Sequence, residues 1–291
     1  MKKWVLWTAI GLLLALAVIG TVSRQVPVRE SQLEGSIMSL APSVTEILFA
    51  LGVQDRLIGV STACDYPPAA THIRKVGDFA VPDIELLYAL KPELVITTPL
   101  RDPEAGKAIR FCGAKLLTVK QGDHEEVFRE IEVIGEAAGV ADAARRYADK
   151  LRERFARATV NVPDALRPRV YVEISPRPLR TAAKGSFLDD LIYRAGGINI
   201  AHDFSRPWTT ISPEAVVARN PEIIILAYQM SRDAPYAIAD RIGWSGLDAV
   251  RSGHVVTGLD RDTLTRPGPR LVEGLEALAG LFARYRKGRT Q

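Results

Sequence analysis

Residues 83–96 read Asp83-Ile84-Glu85-Leu86-Leu87-Tyr88-Ala89-Leu90-Lys91-Pro92-Glu93-Leu94-Val95-Ile96, and residues 212–225 read Ser212-Pro213-Glu214-Ala215-Val216-Val217-Ala218-Arg219-Asn220-Pro221-Glu222-Ile223-Ile224-Ile225. In each, a glutamate is followed seven and eight residues later by Pro-Glu and then by an apolar run; the offset is 214 − 85 = 129 residues. Each glutamate also has an aromatic residue six positions before it, Phe79 in one copy and Trp208 in the other. A proline cannot continue a helix, so both segments predict a short helix, a break, and a buried strand. A second echo in the same order pairs Ser43–Gly52 with Ser186–Gly196, with one inserted residue. Two echoes either side of a stretch that does not repeat argue for duplicated lobes. Facing lobes put corresponding loops at opposite rims of a cleft, and such clefts favour small-molecule sites.

Outward from the repeat, short apolar strands alternate with helices. Strands are predicted at 36–40, 57–60, 94–97 and 115–119, with helices at 83–90 and 104–111. Another helix is predicted after Ser43, which with Glu46 three residues on forms a capping box. After the second strand, Asp65-Tyr66-Pro67-Pro68 is an extended loop. Residues 123–158 differ in character. The first half carries Val127, Ile131 and Ile134. The second has Tyr147, Leu151 and Phe155 spaced by four, which predicts an amphipathic helix close to 30 Å long. The alternation then resumes: strand 169–174, helix 186–195, strand 198–200, helix 212–219, strand 222–227, a helix near 236–242, strand 254–257 and a C-terminal helix over 268–286. The expected fold is α/β, two βα lobes with mostly parallel sheets joined by one long rigid helix. Its predicted divisions are a signal peptide or anchor (1–23), a linker (24–35), an N-terminal lobe (36–122), a connecting helical segment (123–160) and a C-terminal lobe (161–291).

Lys2 and Lys3 precede twenty residues without a charge, Trp4 to Ser23, closed by Arg24. A basic head and an apolar run direct a chain to the export machinery. The run reads either as a removed signal or as an uncleaved anchor, since it reaches the length of a spanning helix. Everything after it is expected outside the cytoplasm. The chain has 291 residues, 38 basic and 34 acidic, and is 47% hydrophobic, so it can bury a core. No dense basic stripe accompanies the net charge of +4, which argues against nucleic acid. Cys64 and Cys112 are either two separate thiols or one disulfide; with no C-x-x-C spacing they suggest neither zinc nor redox catalysis. His72, His124, His202 and His254 are isolated, and no nucleophile elbow, Walker loop or dinucleotide fingerprint is present. Catalysis, metal and cofactor are therefore not expected.

Ser39-Leu40-Ala41-Pro42-Ser43-Val44-Thr45-Glu46, Cys64-Asp65-Tyr66-Pro67-Pro68, Leu90-Lys91-Pro92-Glu93-Leu94-Val95 and the two repeated glutamates together resemble the helical-backbone periplasmic binding proteins of ABC importers for cobalamin, siderophores and haem. The resemblance covers roughly Ser36 to Tyr285 and is strongest to the cobalamin-binding branch. It implies that the helix at 141–158 joins the lobes and that a ligand lies between them. It also implies docking on an importer permease through Glu85 and Glu214, and a monomer when free. For a corrinoid ligand it implies aromatic cleft positions at Tyr66, Phe79 and Trp208, with polar contacts from Asp262 and Arg266. An Fe(III)-siderophore or haem is the alternative ligand. The chain departs from the cobalamin binders at Thr98 and Arg180, where they can carry aromatics. With Arg101 and Arg206 nearby, the cleft is more cationic than a neutral corrinoid requires.

Overall fold

Leu94–Thr97 and Ile223–Leu226 are buried at all four positions, the pattern of strands covered on both faces. A computed structural model describes residues 35–120, 122–228 and 238–289, which belong to one compact unit, Glu34–Gln291. The first lobe contains β1 (Ile37–Ser39), α1 (Pro42–Ala50), β2 (Leu57–Val60), the ribbon β3 (Gly77–Asp78) and β4 (Val81–Pro82), α2 (Ile84–Leu90), β5 (Leu94–Thr97), α3 (Pro103–Phe111) and β6 (Lys115–Thr118). Helices α4 (His124–Ala137) and α5 (Ala141–Ala158) follow. The second lobe has β7 (Arg169–Glu173), β8 (Ser175–Pro176), β9 (Leu179–Ala182), α6 (Phe187–Arg194), β10 (Ile198–Asn199), β11 (Trp208–Thr210), α7 (Pro213–Arg219), β12 (Ile223–Leu226), α8 (Asp248–Arg251), β13 (Val255–Val256), α9 (Arg261–Thr265) and α10 (Leu271–Arg289).

The two main sheets are parallel and share one plan, β2-β1-β5-β6 in the first lobe and β10-β7-β12-β13 in the second. Ile37 pairs with Leu94 as Val170 pairs with Ile223, so β5 and β12 keep the 129-residue offset. The helices before those strands match in detail. α2 is capped by Asp83, whose carboxylate accepts from the Leu86 N–H, and α7 by Ser212, whose hydroxyl accepts from the Ala215 N–H. Each ends on a non-glycine left-handed residue, Lys91 (φ 44°) and Asn220 (φ 40°), which turns the chain into Pro-Glu. Glu93 and Glu222 then accept from the backbone N–H of Gly35 and Arg169 at the start of each lobe's central strand.

α5 turns Ala144, Ala148, Leu151 and Phe155 inward, a single stripe about 27 Å long from 18 residues. It packs against α4, where a side chain on Gly135 would meet Ala144 Cβ at 2.1 Å, so only glycine permits the approach. On another side it meets α10, with Arg154 bidentate to Glu276 at 2.8 and 2.6 Å. One hydrophobic core runs from Ile37 and Ile96 through Phe128, Ile131 and Phe155 to Val172, Leu191 and Leu278. The lobes therefore share buried contacts through these helices, and relative motion must break them.

Several expectations need correction. α1 has Ala41 as its N-cap and no side-chain cap, because Pro42 occupies the first helical position and Ser43 lies inside the helix; the capping box does not form. The second lobe carries an antiparallel sheet, β11-β9-β8, that the alternation did not reveal. Cys64 and Cys112 are both free thiols. The expected signal or anchor and the linker up to residue 34 lie outside the described residues, as does the start of the helix near 236–242. Among the described residues no helix is long and apolar enough to cross a membrane.

Candidate functional site

A cavity of about 650 Å³ opens between the lobes. The first lobe lines it with Ser43, Phe79 and Thr98, the second with Arg180, Ser186 and Trp208, and the segment before α10 adds Arg266. Phe79 is held out on the β3–β4 turn, where the next residue, Ala80, has φ 57°. Arg101 lies 5.9 Å from its ring centroid. Trp208 is pinned by pairing with Ala182 across the β11–β9 ladder, and its ring leans on Phe187 at 5.6 Å. The two aromatics separated by 129 residues thus reach one cavity from opposite lobes. Ser43 and Ser186, the first residues of the second echo, both line it too. That correspondence was present in the repeat, but the serines carry no chemical signal of their own. Thr98 is 3% exposed and its hydroxyl has no hydrogen-bond partner among the described residues. A buried orphan donor beside a cavity is a ready contact for a ligand.

Arg266 is heavily compensated. Its guanidinium reaches Asp65 at 2.7 Å, Asp262 at 3.0 Å and Glu46 at 3.3 Å. Beside it, Arg270 grips Glu46 through two bonds of 2.9 and 2.8 Å and reaches Asp260 at 3.1 Å. Glu46 is buried on α1, so this cluster ties the first lobe to the chain's last quarter. The hydrogen bond from Arg266 holds the Asp65 carboxyl below the usual carboxylate range, against the effect of burial. Glu46, through its hydrogen bonds, pushes the Arg270 guanidinium further up.

Of the five residues expected to meet the ligand, Phe79, Trp208 and Arg266 line the cavity. Tyr66 lies outside it, in a neighbouring recess with Glu46 and Tyr147. Arg270 stands over one face of its ring at 3.9 Å, a cation–π contact, while the side chain as a whole stays exposed. Asp262 is also outside the lining and is bonded to Arg261 and Arg266, which makes it a positioning group for Arg266. Glu85 and Glu214 are each the second residue of their helix, exposed, and without an ion pair among the described residues. Each follows its lobe's cavity aromatic by six positions.

Two similar parallel-sheet lobes, a shared helical backbone and an interlobe cavity define a two-lobed binding protein. The chain belongs to the family described as periplasmic binding protein, whose model matches residues 37–261. It is 34% identical over 255 residues to the uncharacterised ABC transporter substrate-binding lipoprotein YvrC of Bacillus subtilis strain 168, covering 84% of this chain and 78% of that one. The crystal structure of the periplasmic vitamin B12 binding protein BtuF of Vibrio cholerae aligns with a TM-score of 0.68 at 28% identity, over 87% of this chain and 98% of that one. The periplasmic haem-binding protein RhuT of Roseiflexus aligns with a TM-score of 0.74 at 25% identity, over 86% and 98%. The chain is an extracytoplasmic substrate-binding component of an ABC importer, not an enzyme.

Proposed function

We propose that this chain binds a corrinoid in the interlobe cavity and delivers it to its permease through Glu85 and Glu214. The observation that carries the reading is the pairing of Phe79 and Trp208 across the cavity, two aromatic walls suited to a flat ring with polar groups at its edge. The similarity to BtuF points the same way. Asp262 and Tyr66 complete the proposed ligand contacts, Asp262 by way of Arg266 and Tyr66 through its exposed ring. The two glutamates are a two-point electrostatic grip for a basic partner. In this reading the linker ends near residue 35, the lobes meet over 123–160, and the protein works as a monomer. Calorimetric titration with cyanocobalamin tests it: micromolar or tighter binding is expected, and heat-silent mixing at high concentration overturns it. A second reading, haem or an Fe(III)-siderophore, draws support from the likeness to RhuT. It is tested by haemin and ferric siderophores in the same titration.

A further inference from the structure

We infer that the cavity selects corrinoids whose ring edge carries ionised carboxylates, and that Arg180 and Arg206 are the selecting groups; this rests on the corrinoid reading above. Among the described residues three arginines line the cavity and no aspartate or glutamate does. Arg266 is neutralised by three carboxylates. Arg180 and Arg206 have no carboxylate partner among the described residues, and neither has Lys184, next to the cavity-lining Gly185. Among the described residues the wall therefore presents positive charge with no internal counter-charge.

Its geometry is set by the antiparallel sheet. Trp208 pairs with Ala182 and Thr210 with Arg180. The ladder runs on, with the Ala183 N–H donating to the Pro207 carbonyl. Side chains two residues apart on a strand share a face, as do directly paired residues. Arg180 and Trp208 consequently lie on one face, and Arg206 joins the same cavity from the bend that leads into β11. Arg180 stands opposite Thr210, two residues beyond Trp208, and Arg206 lies two residues before it in the chain. A flat ring on Trp208 would thus have its rim side chains over an arginine at either end.

Amide side chains would offer those arginines neutral acceptors. Carboxylates would add opposite charge and a bidentate match to the guanidinium fork. They would also compensate guanidinium groups that lose water when the cleft is filled. The unpartnered Thr98 hydroxyl, on the other lobe, does not discriminate between the two, since it can bond either.

The test is calorimetric titration of the full chain with two corrinoids of the same ring, dicyanocobinamide (amidated rim) and dicyanocobyrinic acid (carboxylate rim). It is repeated on R180Q/R206Q, whose substituted positions are exposed. Cobyrinic acid is expected to bind about tenfold or more tightly than cobinamide. The preference should shrink to less than about threefold in the variant and as sodium chloride is raised to about 0.5 M. Cobinamide should lose much less affinity in the variant than cobyrinic acid does. Equal binding of both corrinoids by wild type, or a preference that survives R180Q/R206Q, overturns the arginine selection and leaves the corrinoid reading standing. Binding of neither overturns the corrinoid reading and this inference together.

Discussion

The two lobes repeat one scaffold and differ where it meets the cleft. By register, Leu40 just past β1 corresponds to Glu173 at the end of β7. Both are 0% exposed. The first lobe fills the position with an apolar side chain. The second places a carboxylate there, gripped by Arg241 at 2.6 and 2.8 Å and hydrogen-bonded by Tyr228. The second lobe also adds the β11-β9-β8 sheet, which carries Arg180 and Trp208. Opposite it, the first lobe offers only a ribbon of two short strands, with Phe79 at its turn. A duplicated scaffold supplies the symmetric cleft, and one copy's additions supply its polarity.

The largest test of this contrast is at the equivalent buried pair. Glu173→Ala leaves the partly buried Arg241 without its counter-charge and is expected to destabilise by about 3 kcal/mol in urea unfolding. Replacing Glu173 by Leu and Arg241 by Met together should restore stability to within about 1 kcal/mol, giving the second lobe an apolar solution like the first's. A loss below 1 kcal/mol for Glu173→Ala would mean the ion cluster is not what closes this lobe.

Next is the asymmetry of the aromatic walls. Trp208→Ala should weaken cyanocobalamin binding by roughly 2 kcal/mol, and Phe79→Ala by roughly 1, because indole presents more area and stands on the structured sheet. The reverse order in calorimetry would move the main contact to the first lobe.

The connecting segment and the second lobe also hold carboxylates of opposite character. Glu130 on α4 is 7% exposed, with one oxygen accepting from the Lys120 N–H and the other unpartnered among the described residues; burial pushes its carboxyl up. Asp190 on α6 is also buried enough to be raised, but hydrogen bonds from His124 and Arg194 prevail and hold it down. The signs differ accordingly. Ionised Glu130 costs stability at neutral pH, and the cost disappears as the pH falls through its raised folded value. Ionised Asp190 contributes stability that is present above its unfolded value and lost as the pH falls through its depressed folded one. Glu130→Gln should gain about 1 kcal/mol at pH 7 and Asp190→Asn lose about 1, both differences shrinking toward pH 3 in urea titrations. A gain for Glu130→Gln that persists at pH 3 would refute the assignment to ionisation.

The smallest effect on binding is expected at the positions where the lobes agree best. Glu85→Ala and Glu214→Ala should change ligand affinity by less than about twofold, since both carboxylates are exposed and unpaired. Transport coupling in permease vesicles should fall for either and further for both. A collapse of affinity instead would place them in the pocket.

What the sequence discloses follows the range of the interactions. The helix–Pro–strand units were legible because capping, the left-handed exit and the buried strand are local; Asp83, Lys91 and Leu94 lie within twelve residues. Phe79 and Trp208 were legible through their common offset. The capping box failed because Pro42 serves as the first helical residue and Glu46 takes partners 220 and 224 residues away. No window contains that pairing. The contact of Tyr66 with Arg270 is hidden from the sequence for the same reason, since 204 residues separate them. The β11-β9-β8 sheet was missed because its strands are two to four residues long and flanked by proline, too short for alternation to register.

The arginine grip on Glu46 also has a meaning in time. An exported chain emerges amino end first, so the acidic residue on α1 arrives long before Arg266 and Arg270. Until then α1 holds a carboxylate in an apolar setting without its guanidinium partners, a state that favours remaining open. Closure of the first lobe is thereby made contingent on synthesis of the last, and a prematurely terminated chain lacks the parts that would let it pass as finished.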